Sequence, residues 1–484
     1  MMRWHQAARL AGRQLHRVCS RHQNFPTNTG RALFSSSSKL SEEEAFSALY
    51  IPGSRGATAD GVVTPYLDFS KQFEDVALIE RSVTQRCMNI DVNGIVRKWS
   101  EWKELEKHRS NLEEKRATLT KAVNALQNKK KNKEQLSALK EHGKQLRNEV
   151  KILTQKIWDL EEVAVTGALS LPNNLHESTG TSDKLLFTLS KKPVFSFQPK
   201  SHIDLGTTSE ELEIVDNSPT AYYLKNRLAL LELVCNDYFL SAMNNQDFLM
   251  MSNSDFVKAA IMEGCGTHFR DRPQHNRLST GTGQDTSHLH LVGGGSLQAF
   301  SAYFTKQIIE KSDHLPVKVI TTGRNYSPSN PSSVTHPGLL GCRQSSVVDG
   351  FVLYEDVGVQ EKTIIQEAMV MVTECYLHLG VHFQVVQYSA KKLEVHESAA
   401  IGFLMFSPHT GQHHEVARIS VCGDYISRRL WTLCRKEKCA SFVSMLHIRV
   451  CHTARLLALL MENGQQEDGS YRLPGCLHSA VNSF

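Results

Sequence analysis

Leucine recurs at every seventh residue at Leu105, Leu112, Leu119 and Leu126, and again at Leu139, Leu146, Leu153 and Leu160. Leu136, Val150 and Ile157 fill alternate positions of the second ladder. A seven-residue apolar repeat makes a stripe too narrow for a sheet to cover, and only another helix matches it. The run Lys129-Lys130-Lys131-Asn132-Lys133 separates the ladders as a polar turn. The pattern predicts two helices folded back as an antiparallel coiled-coil hairpin, projecting as an arm with charged outer faces.

The remaining length bounds the alternatives. At 484 residues the chain has room for two or three domains with a sizeable core. No apolar run approaches the roughly 18 residues of a membrane span, so membrane insertion is not expected. Before Glu42 the chain carries Arg3, Arg9, Arg13, Arg17, Arg21 and Arg31 and no acid, with Ser35 to Ser38 following. An acid-free stretch rich in arginine and serine, with Trp4, Ala8, Leu15 and Val18 as an apolar stripe, reads as a transit peptide over residues 1–45 and addresses the chain to the mitochondrial matrix. The plainer alternative is a basic tail that binds nucleic acid. Removing the six arginines takes the formal charge from +5 to −1, so a case for nucleic-acid binding has to rest on local clustering. Eleven cysteines are scattered without a C-x-x-C pair and read as reduced thiols. His409, His413 and His414 lie close together, but no cysteine or carboxylate completes a set at ligand spacing. They read as a polar loop, with no metal and no cofactor expected.

The helical pattern runs over residues 66–171 and is predicted to form the arm. The stretch LSLPNNLHESTG at 169–180 reads as a breaker and linker. From 185 to 484 the pattern is mixed. PVKVIT, VVDGFVLY and AAIGFLMF read as strands. Long amphipathic segments are expected at 221–243, 297–311, 360–378 and 440–463. This order predicts an α+β domain, an antiparallel sheet flanked by helices.

The arm is itself a candidate site. Between Lys103 and Lys156 fifteen Lys and Arg residues stand against seven Glu, a local net of +8. Lys107, Arg109, Arg116, Lys121, Lys129, Lys130, Lys131, Lys133, Lys140, Lys144, Arg147 and Lys151 are the candidate RNA contacts. Cations spaced along a rod can follow a phosphate backbone, with counterion release supplying affinity. No aromatic platform lies within the arm, so readout of bases is not indicated. Charged flanks that only keep a coiled coil soluble would look the same.

A more specific signal comes from the order of segments. A helical hairpin, then LPNN, then a mixed domain containing ARLLALLMENGQQEDGS resembles the seryl-tRNA synthetases, with Arg455 at the arginine of the class II motif 3 helix. EVARISVCGDYISRRL at 415–430 resembles the family segment EVSSCSNCTDFQARRL, and VITTGRNYSPSNP at 319–331 resembles the start of motif 2, with Arg324 in place. The resemblance covers residues 66–484. It implies a class II antiparallel sheet and an arm that grips the long variable arm of serine tRNA. It also implies dimerisation through a helix within 218–250, giving a homodimer or a heterodimer with the mitochondrial seryl-tRNA synthetase.

Against that family pattern the chain departs at the chemistry. GGGS puts Gly294 and Ser296 where a serine-gripping Thr-x-Glu belongs. A buried ammonium without its carboxylate loses about 2–5 kcal/mol. Tyr326 stands where motif 2 continues arginine-x-glutamate, and Gly341, Cys342, Arg343, Gln344, Ser345 replace arginine-valine-histidine-glutamine-phenylalanine. Val421 replaces a serine-binding asparagine, His447-Ile448-Arg449 replaces an Asn-Gly-Ser turn, and no motif 1 proline stands near Ser252 and Asn253. Arg324, Glu415, Ser420 and Arg455 survive, either as ion pairs that hold the sheet or as a vestigial phosphate site. The expectation is a non-catalytic relative that binds serine tRNA through its arm as a regulatory or accessory factor. An active serine–tRNA ligase with an atypical pocket and a protein-only scaffold are the competing readings.

Overall fold

A computed structural model describes residues 47–50, 69–128, 133–215, 221–267, 277–278, 289–327, 338–355, 359–436 and 440–481. The expected presequence at 1–45, Lys129 to Lys131 and the Lys133 side chain lie outside the described residues. The chain separates into a helical unit within residues 46–172 and a mixed unit within 173–484.

The helical unit opens with α1 (Val76–Gln85), capped by the Asp75 carboxylate, which accepts from the Leu78 N–H at 3.3 Å. Helices α2 (Val92–Asn128) and α3 (Lys133–Leu169) each run 37 residues, about 55 Å at 1.5 Å per residue. The heptad leucines pair them. Leu112, Leu146 and Ile157 are buried. Trp99 and Trp102, early in α2, pack with Ile157, Ala164, Val165 and Ala168, late in α3, and Leu105, Leu153 and Leu160 flank them. Early against late is antiparallel pairing. Midway, Gly143 lies so close to α2 that an added Cβ would meet Leu119 Cδ2 at 3.4 Å.

The mixed unit is built on an eight-stranded sheet. Its strands are β1 (Lys184–Leu189), β2 (Leu249–Met250), β3 (Val317–Tyr326), β4 (Gln344–Tyr354), β5 (Phe383–Gln387), β6 (Ala399–Phe406), β7 (His413–Gly423) and β8 (Ser444–His452). They lie in the order β1-β5-β6-β7-β8-β4-β3-β2, every neighbour antiparallel except the short edge strand β2, which runs parallel to β3. Helices α4 (His202–Thr208), α5 (Asn226–Asn244), α6 (Leu297–Phe304), α7 (Val359–His378), α8 (Tyr425–Leu430) and α9 (Thr453–Gly464) accompany it, with shorter helices at Ala259–Gly264 and Gly475–Val481. Leu231, Phe239, Val372, Tyr376, Leu457 and Leu460 from α5, α7 and α9 meet Ile419, Val421, Ile448 and Val450 of the sheet in one core.

The expectations for three amphipathic segments are corrected here. Segment 440–463 is not one amphipathic stretch: it is a short strand at Ala440–Phe442, then β8, then α9. Nearly all of β8 is buried, and a strand covered on both faces has no alternation to separate it from a helix. Segments 221–243 and 297–311 each join a helix to a short strand, Tyr222–Leu224 and Ile308–Ile309. At the breaker α3 ends at Leu169, and beyond it Asn173 Nδ2 donates to the carbonyls of His396 at 2.9 Å and Cys422 at 2.8 Å, and the His176 N–H donates to the Ser398 carbonyl at 2.9 Å.

Candidate functional site

Alternation along β7 and β8 decides what faces the helices and what does not. Ile419, Val421, Ile448 and Val450 enter the core, so Arg418, Ser420, His447 and Arg449 point to the other face. There they line a cavity of about 470 Å³, together with Tyr326 of β3, Arg455 of α9 and the loop Glu394–Glu397.

The charges in this cavity bind one another. Arg418 Nη2 lies 2.6 Å from Glu397 Oε2, its Nε 2.9 Å from Glu397 Oε1, and its Nη1 3.1 Å from Glu415 Oε2. Two parallel donors on one carboxylate make this the strong, bidentate form of ion pair. Glu397 is 1% exposed, and the Ser420 hydroxyl donates to it as well. Burial raises the Glu397 carboxyl, yet Arg418 and Ser420 bring it down to about 2. The Tyr388 hydroxyl donates to the same Glu415 Oε2, and its ring lies 4.8 Å from the Arg418 guanidinium. On β4, which pairs with β8, Asp349 is fully buried and receives Arg449 Nε at 3.1 Å, Arg449 Nη2 at 3.0 Å and His447 Nε2 at 2.8 Å. Against the upward push of burial, the Arg449 guanidinium and the His447 hydrogen bond hold the Asp349 carboxyl below its usual range. Burial first, then Arg455 and Arg449, keep His452 well below the ordinary histidine range and therefore uncharged at neutral pH.

The surviving family positions are likewise engaged. Arg324 Nη1 lies 3.1 Å from Glu232 Oε1 on α5, and the Ser346 hydroxyl donates to the same oxygen at 2.7 Å. Arg455 donates to the backbone carbonyls of Leu340 at 3.3 Å and Glu415 at 3.1 Å. Glu415, Ser420 and Arg455 meet at the cavity, while Arg324 turns toward α5.

The positions that depart from the family pattern make local contacts. The Gly294 N–H donates to Asp255 Oδ1 at 2.6 Å, and its carbonyl accepts from Asn253 Nδ2 at 3.0 Å. Gly293 has φ +86°, and an added Cβ would stand 2.0 Å from the Arg324 carbonyl oxygen. Ser296 is 1% exposed and caps α6, accepting from the Ala299 N–H at 3.2 Å while donating to the Gly293 carbonyl. Ser345 accepts from the Ala454 N–H at 3.1 Å at the start of α9. Gly341 closes the turn after Gly338–Leu340. Tyr326 borders the cavity, but Val421 lies in the core beneath it.

Sequence reasoning missed Arg418, Glu397 and Asp349. One signal was available: in the segment aligned above, Arg418 falls on a serine of the family pattern. Its partner Glu397 is 21 residues away, on the loop before β6, and Asp349 is 100 residues from Arg449, across the β4–β8 ladder.

On the arm, Lys140, Lys144, Arg147 and Lys151 are all exposed. Their spacing puts them on one flank of α3. Lys107, Arg116 and Lys121 are exposed on α2, and Arg109 is half-buried.

Comparison with known proteins gives the following likenesses. Residues 281–464 match the tRNA synthetase class II core domain (G, H, P, S and T). The chain is 29% identical over 441 residues to the serine–tRNA synthetase-like protein Slimp of Drosophila melanogaster, covering 88% of this chain and 91% of that protein. It is 27% identical to the mitochondrial serine–tRNA ligase of Bos taurus, covering 80% of this chain and 77% of the ligase. The crystal structure of seryl-tRNA synthetase from Pyrococcus horikoshii complexed with ATP superposes with a TM-score of 0.74 at 19% identity, covering 86% of this chain and 98% of that one.

Proposed function

Starting from a chain that carries the class II tRNA synthetase core and resembles the seryl-tRNA synthetases over most of its length, we propose that it is a non-catalytic member of that group which binds serine tRNA through its arm as an accessory or regulatory factor. The observation that carries the loss of chemistry is the bidentate Arg418–Glu397 pair, with Glu415 as a third party. A guanidinium already sits among the carboxylates that could hold a divalent cation. Arg455 and Arg324, the arginines that would clamp ATP phosphates, are spent on backbone carbonyls and on Glu232. Charge stabilisation at the reacting phosphorus carries most of the rate in such reactions, and it needs cations that are preorganised and uncommitted. Where a serine-gripping Thr-x-Glu would stand, GGGS presents backbone amides and a helix cap.

RNA binding rests on the exposed cationic flank of α3, and the likeness to a serine–tRNA ligase and to a serine–tRNA synthetase-like protein favours serine tRNA as the ligand. Mitochondrial localisation is drawn from the ligases of Bos taurus and Mus musculus and from the arginine-rich start of the sequence. Dimerisation, as a homodimer or with the mitochondrial ligase, would use α5, where Leu233 is 65% exposed. Among the described residues no helix is long and apolar enough to cross a membrane. The test is a pair of assays on the full chain. Serine tRNA is expected to bind and not to be charged. Steady charging above an Arg455→Ala control overturns the inactive assignment, and binding that survives charge reversal at Lys140, Lys144, Arg147 and Lys151 removes the arm as the RNA site.

A further inference from the structure

We propose that His382 and His413 form a two-imidazole site for a divalent transition-metal ion, with Zn²⁺ the natural occupant, at the β5–β6–β7 end of the large sheet. His382 immediately precedes β5 and His413 opens β7. Phe406 joins them: it pairs with His413 across the β6–β7 ladder, and its N–H donates to the His382 carbonyl at 3.3 Å. Three strands therefore hold two rings that lie 31 residues apart in sequence.

The geometry has the features of a chelate. His382 Nδ1 donates to the Ser190 carbonyl at 2.9 Å, which in the neutral ring puts the lone pair on Nε2. Metal-bound histidines are oriented in this way, with the second nitrogen donating to a carbonyl or carboxylate. That lone pair faces His413 Nε2 at 3.3 Å. For an N–H···N hydrogen bond this is long. For two imidazoles bound tetrahedrally at about 2.0–2.1 Å to one ion, the nitrogens lie about 3.3–3.4 Å apart. The Phe406 ring, 6.0 Å from His382 and 5.3 Å from His413, walls one side. One feature opposes binding: the Lys192 ammonium sits 4.4 Å over that same ring. Among the described residues no third His, Cys, Asp or Glu joins the pair, so water completes the coordination.

Zn²⁺ titrated calorimetrically into the chelator-stripped full chain tests this. A one-to-one site is expected that weakens at least tenfold in His413→Ala and tightens several-fold in Lys192→Met. Because His382 is buried and its loss could disturb the fold, His413→Ala and Lys192→Met, both near the surface, carry the test. Zn²⁺ affinity unchanged in both variants would assign the ion to exposed thiols such as Cys87 or Cys476 and overturn the proposal, as would the lack of any stoichiometric binding.

Discussion

Replacing Arg418 with methionine removes the guanidinium while keeping much of the side chain's bulk, and leaves Glu397 buried at 1% exposure without its cation. Removing one partner of a buried pair costs about 3–5 kcal/mol, because the remaining charge is stranded. The carboxyl itself supplies an independent figure. Its fall from 4.5 to about 2 corresponds to about 3 kcal/mol of preference for the charged form in the folded state. A folded pKa below the unfolded one means that this contribution is complete above about pH 4.5 and drains away as pH falls toward 2. In Arg418→Met the order inverts: the stranded carboxyl rises above its ordinary value, so the variant is weakest at neutral pH and regains ground against the parent on acidification. Urea unfolding of both proteins at pH 7 and near pH 4 measures this. The double variant Arg418→Met with Glu397→Gln should recover more than half of the loss at pH 7. A loss under about 1 kcal/mol, with parent and variant following the same pH profile, would refute the view that Arg418 is the committed cation of this cavity.

The remaining predictions concern the neighbouring positions and the arm. Asp349→Asn leaves Arg449 and His447 without their carboxylate and is expected to lose about 3 kcal/mol in chemical unfolding. Gly294→Thr with Ser296→Glu, which restores the family's serine-gripping residues, should not create serine activation. It should instead lower stability by at least the ~1 kcal/mol of a lost N-cap, read as a shift in the urea midpoint. Millimolar Mg·ATP should leave the thermal midpoint unchanged, since a ligand stabilises only in proportion to its occupancy of the native state. Charge reversal of Lys140, Lys144, Arg147 and Lys151 should abolish serine tRNA binding at moderate salt, and a variant neutralised at the same four positions should show a salt dependence shallower by about three to four counterions.

How much of this could be read from the sequence depends on the range of the interactions. The arm was legible because its information is local. A heptad places Leu112 and Leu146 on one seam, and both are buried. The strands at VVDGFVLY and AAIGFLMF were legible as short apolar runs, and the α+β class followed from their order. Strand β8 was not, because burial on both faces erased its period. In the cavity, residue types aligned with a family pattern located Glu415, Ser420 and Arg455 but not what they touch. Val421 shows the limit of that alignment: pleating turns it into the core, one residue from Ser420, which faces the cavity. The histidines at 409, 413 and 414 read as an ordinary loop because the ring opposite His413 belongs to His382, on the far side of β6. Charge pairing across strands is invisible to spacing rules, and the Asp349 pairs with His447 and Arg449 are of that kind, while Arg418–Glu397 joins a strand to a loop.

The most direct measurement is pyrophosphate exchange by the purified full chain with serine, ATP and Mg²⁺, run beside Arg455→Ala and beside an authentic mitochondrial serine–tRNA ligase. A cavity whose cations are all committed predicts exchange indistinguishable from Arg455→Ala. Serine-dependent exchange that exceeds that control and disappears in it would mean that these arginines let go of their protein partners to hold the nucleotide, and the assignment of a non-catalytic protein would be wrong.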